Sequence, residues 1–156
     1  MSEKQSLQDT YAPKSICFGC GPANAAGLQI KSHVDEATGD VVADFTPAPY
    51  HHAFPGMLNG GIIGALLDCH SNWTAAYYLM NASGTGVLPC TVTADFHVKL
   101  RKPTPLGPVH LKARVVKGEA DRALVEAELL SGDVVTARCT GTFVAVKEGH
   151  PAYHRW

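Results

Sequence analysis

From Asn59 to about Met80 the chain runs without a proline, with Ile62, Ile63, Leu66, Leu67, Trp73 and Tyr77 at helical spacing. Few positions in that stretch are polar on any side. A helix with so little polar surface must be buried round most of its circumference. Asn59 is a good N-cap, and Asn81 to Gly86 (NASGTG) ends the helix. The fold must therefore be one that wraps something around a single long helix.

The rest of the chain supplies strands to do it. Thr91 to Arg101 alternates strictly, with Val92, Ala94, Phe96, Val98 and Leu100 expected on one face. Thr91, Thr93, Asp95, His97, Lys99 and Arg101 are expected on the other. Turns at Pro103–Pro108, Gly118–Arg122 and Ser131–Asp133 separate three further strands, the last running from Val134 to Val146. Upstream, Gly27 to Val34 alternates as a half-buried strand, Thr38–Asp40 turns, and Val41 to Thr46 returns, which predicts a hairpin over 28–46. Residues 47–58 (PAPYHHAFPGML) read as a loop. The order is β-β-α-β-β-β-β, an α+β domain with an antiparallel meander curled round one helix. Residues 1–15 read as an N-terminal arm, mobile or loosely wrapped, and residues 16–156 as one domain. The tail GHPAYHRW reads as polar and aromatic, packed on a neighbour.

Composition removes several classes. Thirteen Lys plus Arg against fourteen Asp plus Glu give a net charge of −1, which argues against a general nucleic-acid binder. No apolar run approaches the ~18 residues of a membrane span. The polar opening MSEKQSLQDTYAPKS lacks a signal-peptide core, and the five cysteines are odd in number, so reduced thiols in a cytoplasm are expected. There is no Gly-x-Ser-x-Gly elbow, Gly-x-Gly-x-x-Gly or P-loop.

Two features of the helix carry chemistry. Asp68 is a carboxyl among Ile, Leu, Trp and Tyr, which has either a partner and a task or a place on the one wet face, bonded to Asn72. Asn59-Gly60-Gly61 starts the helix, where free first-turn N–H groups and the positive dipole end suit an anion or a carbonyl. The bland reading is a plain cap with Gly-Gly for close packing. Gly60 and Asp68 are separated by about 12 Å along the axis, so one carbonyl cannot touch both within one helix. Two helices paired antiparallel about a twofold axis would bring Gly60 of one chain near Asp68 of the other. Among the remaining candidates, Cys17-x-x-Cys20 is half a zinc site with no second Cys pair at ligand spacing, so no metal is expected. Cys69 reads as a small buried residue, adjacent to His70 and unable to face it. His51 and His52 either line a pocket or face solvent. Lys99, Arg101 and Lys102 either hold phosphates or form a solvated strand end. Tyr50, Phe54, Met57, Trp73 and Tyr77 belong either to a pocket wall or to the core.

The stretch HHAFPGMLNGGIIGALLDCHSNWTAAYY resembles the hotdog-fold thioesterase superfamily, in particular its phenylacetate-degradation and 4-hydroxybenzoyl-CoA thioesterase branches. The family's mark is a His-Gly-Gly helix start with an acidic residue nine positions after the His. Here Asn59 stands for the His and Asp68 falls nine later. The opening CFGCGPANAAGL and the strand TVTADFHVKLRKPTPLG resemble the family as well. The resemblance implies that Asp68 is the catalytic carboxylate, as base or nucleophile. It implies that the Gly60 N–H polarises a thioester carbonyl and that Thr93 assists the attacking water. It implies an acyl- or aryl-CoA substrate, Gly61, His51 or His52 and the Lys99–Lys102 cluster near it, no cofactor, and a homodimer or a homotetramer. Asn59 can cap and donate a hydrogen bond but cannot carry a proton. The rival readings are a non-catalytic acyl-CoA-binding module and a hotdog hydratase or dehydratase.

Overall fold

A computed structural model describes residues 4–156. The central element is α2, Gly60–Ser83, a helix of 24 residues. Asn59 caps it, its side-chain Oδ1 accepting the Ile62 N–H at 3.1 Å. It ends at Gly84, which takes φ of 70°, the left-handed C-cap conformation that a residue without Cβ adopts cheaply. Leu66, Leu67, Trp73, Ala75 and Ala76 are fully buried, as an apolar helix with no wet face requires.

The sheet that buries it has six antiparallel strands: β1 (His33–Val34), β2 (Val41–Phe45), β5 (Thr91–Leu100), β6 (Val109–Gly118), β7 (Arg122–Ser131) and β8 (Val134–Ala145). Their order across the sheet is β1-β2-β6-β7-β8-β5. Leu111 of β6, Val125 and Leu129 of β7, and Ala137 and Phe143 of β8 point at α2 and are completely buried. The strand β5 forms one edge, with its far side unpaired by the described residues. A small hairpin, β3 (His52–Phe54) with β4 (Met57–Leu58), stands before the helix, in the stretch read from the sequence as loop.

Two expectations need correction. The strand read over Gly27–Val34 is only His33–Val34. Gln29 takes φ of 52°, a left-handed conformation that breaks an extended strand. The chain before β1 instead lies along the Cys17 loop, the Leu28 and Ile30 N–H groups donating to Phe18 O and Gly19 O at 2.7 and 3.1 Å. The N-terminal arm is not loose over its described part. Ser6 caps the short helix α1, Leu7–Tyr11. Buried Gln8 exchanges two hydrogen bonds with Ser32, at 2.9 and 2.7 Å. Residues 1–3 of that arm lie outside the described residues.

Candidate active site

With Asn59 Oδ1 committed to Ile62, the Gly60 and Gly61 amides open the helix without intrahelical acceptors. The positive end of the α2 dipole is added to them. Two turns further on, Asp68 is half-buried beneath β5. Its Oδ1 accepts the Thr93 hydroxyl at 2.6 Å. Burial, with a smaller contribution from Cys17, raises the Asp68 pKa from its ordinary value, while the Thr93 bond and the Arg155 guanidinium oppose that rise. The alternative partner is not used: Asn72 turns its amide to Thr91 O at 3.5 Å.

Thr93 reaches Asp68 because strict alternation fails in β5. The register slips between Thr93 and Asp95, Thr93 pairing with Phe143 and Asp95 with Thr142, so Ala94 is the extra residue of a bulge. A bulge reverses which face the following side chains take. Thr91 and Thr93 therefore share the helix-facing side with Phe96, Val98 and Leu100, opposite Ala145, Phe143, Gly141, Cys139 and Ala137. The expected assignment of Thr93 to the face of His97 and Lys99 is thus corrected. His97, Lys99 and Arg101 line a polar groove of about 580 Å³ on the outer side, with Lys112, Arg114, Arg138, Glu126 and Glu128.

A second cavity, about 310 Å³ and mostly apolar, lies at the helix start. Gly60, Ile63, Ala53, Phe54, Met57 and Leu100 line it, and Arg101 and Lys102 stand on its rim with Pro103 and Thr104. Of the predicted site residues, Gly60 from the catalytic set comes together here with Arg101 and Lys102 from the binding set, and Gly61 is next to them in the first turn. Lys99 is turned to the outer groove. Neither His51 nor His52 lines this cavity. His51 Nδ1 accepts the Ala48 N–H at 2.9 Å, and its ring packs on Tyr50 and Phe45. His52 is exposed on β3. Phe54 and Met57 join the cavity wall, whereas Trp73 is core and Tyr50 is exposed.

Several residues near Asp68 were not legible as neighbours. The tail folds back on its own chain: Arg155 donates to Thr91 O at 2.9 Å, and the Trp156 ring lies 4.6 Å from that of Trp73. The expectation of a tail packed on a neighbour is corrected for these contacts. Nothing in the linear pattern signals Arg155 as a neighbour of Asp68. The Cys17 and Cys69 sulfurs stand 3.7 Å apart, and with Cys20 all three lie within 4.8 Å of one another. Linear spacing counts two thiols; the fold adds Cys69 as a third. His70, buried completely, bridges Ser32 Oγ and Val41 O, each at 2.8 Å. A carbonyl can only accept, so Nε2 carries the proton and Nδ1 accepts from Ser32. Burial pushes this imidazole down to about 4. It is a neutral structural tie, not a nucleophile's base.

The profile of the thioesterase superfamily matches residues 55–140. A search of curated proteins finds no match. Among solved structures, a thioesterase superfamily protein from Shewanella loihica PV-4 is 26% identical, with a TM-score of 0.59 over 81% of this chain and 98% of that one. A phenylacetic acid degradation-related protein from Ralstonia eutropha JMP134 is 22% identical, with a TM-score of 0.62 over 81% and 92%. A Bacillus halodurans protein, its crystal structure containing CoA, is 22% identical, with a TM-score of 0.64 over 80% and 78%. Antiparallel sheet wrapped round one long helix is the hotdog fold, and the chain belongs to the thioesterase superfamily. No helix among the described residues is long and apolar enough to cross a membrane.

Proposed function

We propose that this protein hydrolyses an acyl- or aryl-CoA thioester to the free acid and CoA, at a site shared between two chains of a homodimer. The observation that carries the reading is the half-buried Asp68 carboxyl held by Thr93 at 2.6 Å. It lies two turns from an unsatisfied helix start that opens into an apolar cavity. One Asp68 oxygen accepts the Thr93 hydroxyl hydrogen bond, so the other is free to hold water. In the reaction Asp68 removes a proton from water as the oxygen attacks the thioester carbon. The developing oxyanion is met by the Gly60 N–H of the partner chain, which is a preorganised donor at a dipole's positive end. Collapse expels CoA thiolate, which recovers the proton from Asp68. Thr93 keeps the carboxylate oriented, and its oxygen can accept from the water.

The two-chain arrangement is supported by distance and by surface. Gly60 and Asp68 are about 12 Å apart along one helix. The edge strand β5 leaves Phe96 and Leu100 exposed on the helix side, at 42% and 57%. A ten-residue edge with apolar side chains on view is a surface that another copy can extend. Arg101 and Lys102 at the cavity rim suit the phosphates of CoA. Asn59 serves as cap rather than as a proton carrier, which places all proton transfer on Asp68. The test is thiol release from a panel of short, long and aromatic CoA esters. Turnover on at least one, lost in Asp68→Asn, is expected. Saturable binding without turnover on any ester would leave an acyl-CoA-binding module instead.

A further inference from the structure

The loop Cys17-Phe18-Gly19-Cys20-Gly21 is closed by the Gly21 N–H donating to Cys17 O at 2.8 Å. It is pressed against α2 so closely that a Cβ on Gly19 would fall 2.3 Å from Cys69 Sγ. A Cβ on Gly21 would fall 2.4 Å from Cys17 N and from Ser15 O. Gly19 is therefore required by the approach of the loop to the Cys69 sulfur, and Gly21 by the closure of the loop on its own backbone. One helical turn beyond Cys69, the fully buried Trp73 has an indole N–H without a hydrogen-bond partner. The tight loop and the helix thus bring three sulfurs within 4.8 Å of one another, next to a buried donor that the protein leaves unpaired.

Three sulfurs this close fit one cation between them. An ion bound by sulfur at ~2.3 Å in tetrahedral geometry sets its ligands about 3.8 Å apart. The Cys17–Cys69 separation is 3.7 Å, and the remaining pairs lie within 4.8 Å. A disulfide would require about 2.05 Å. Cys17 and Cys69 are half-buried and Cys20 is buried, and a tetrahedral ion held by three sulfurs keeps its fourth position for water. Thiolate donors without a carboxylate select soft ions over Mg²⁺ and Ca²⁺.

We propose that Cys17, Cys20 and Cys69 bind one thiophilic ion of the zinc class, which clips the Cys17–Gly21 loop to α2 beside Asp68. Binding exchanges three thiol protons for the ion, and the protons leave to solvent. The clip is independent of the thioesterase reading, and its test does not use activity.

The reduced, metal-free full chain is titrated with Co²⁺ and then with Zn²⁺ against a chromophoric chelator, with Mg²⁺ as control. One ion per chain is expected, with sulfur-to-cobalt charge-transfer absorption, bleached by Zn²⁺ and absent with Mg²⁺. Cys17→Ser and Cys20→Ser should each weaken binding at least ~100-fold while circular dichroism stays native. Cys90→Ser, outside the cluster, should bind as the parent does. Absence of saturable binding would overturn the site, as would undiminished binding in folded Cys17→Ser. Recovery of the chain with a disulfide among these three cysteines that no mild reductant opens would also overturn it.

Discussion

Asp68 and Thr93 form a pair in which each residue accounts for the other. A half-buried carboxylate loses solvation, and the 2.6 Å bond from the Thr93 hydroxyl offsets part of that loss. Asp68→Asn is nearly isosteric, so the fold should persist while hydrolysis falls at least ~10²-fold. Steady-state thiol release, alongside an equilibrium CoA-ester binding measurement that stays near the parent value, checks both halves. Thr93→Val keeps the shape and removes the donor. Hydrogen bonds to charged groups are worth about 1.5–3 kcal/mol, so kcat should fall roughly 10–100-fold with KM little changed. At this scale the sequence was informative about identity but silent about partners. A polar residue in an apolar helix marks Asp68 from the pattern alone. That its partner is Thr93 and not Asn72, and that Arg155 and Cys17 bear on it, depends on contacts between segments far apart in the chain.

At the scale of elements, α2 was legible because its signals are local: an Asn cap, no interior proline, a glycine after the end. The bulge in β5 was not, because polar and apolar residues keep alternating through Ala94, with no glycine or proline to mark the slip. The hairpin β3–β4 was hidden by Pro55, the prolines just before it and its exposed residues, and the late start of the first strand by the left-handed Gln29. Deleting Ala94 would remove the extra residue and restore a regular ladder, with Thr91, Thr93, Phe96, Val98 and Leu100 all still on the helix side. The variant should stay folded but lose part of its hydrolysis as the local bend that sets the Thr93–Asp68 contact is removed, seen together in a thermal scan and an activity assay. At the helix start, Asn59→Ala removes the acceptor for the Ile62 N–H and should cost about 1 kcal/mol in denaturant unfolding. The tail is an element too. Trp156 packs on Trp73 and donates to Pro89 O at 2.8 Å. Trp156→Ala should cost roughly 1–3 kcal/mol by the same measurement, from lost apolar contact and ring packing.

For the whole molecule, the two halves of the proposed site are kept apart within one chain. The proposed oxyanion donor is at the start of α2 with its cavity, and the Asp68 carboxyl is two turns along under β5. The exposed apolar edge of β5 and the helix start lie near each other, with Leu100 Cδ1 3.1 Å from where a Gly60 side chain would begin. A second chain added there would cover that edge and bring its own helix alongside. The spacing that implies this was readable from residue numbers and helical rise. The surface that would receive the second chain was not, because it depends on the bulge that turns Phe96 and Leu100 to the helix side.

Mixing two inactive variants tests the shared site most directly. Gly60→Pro removes the oxyanion donor, and proline is accepted in a helix's first turn. Asp68→Asn removes the base. Each alone should be folded and inactive. Refolded together in equal amounts, half of the dimers pair one chain of each kind. One of the two sites in such a dimer then combines an intact Gly60 with an intact Asp68. About a quarter of parental activity should return. If mixed dimers form, shown by mass or by differential tags, and no activity returns, the site does not lie between chains.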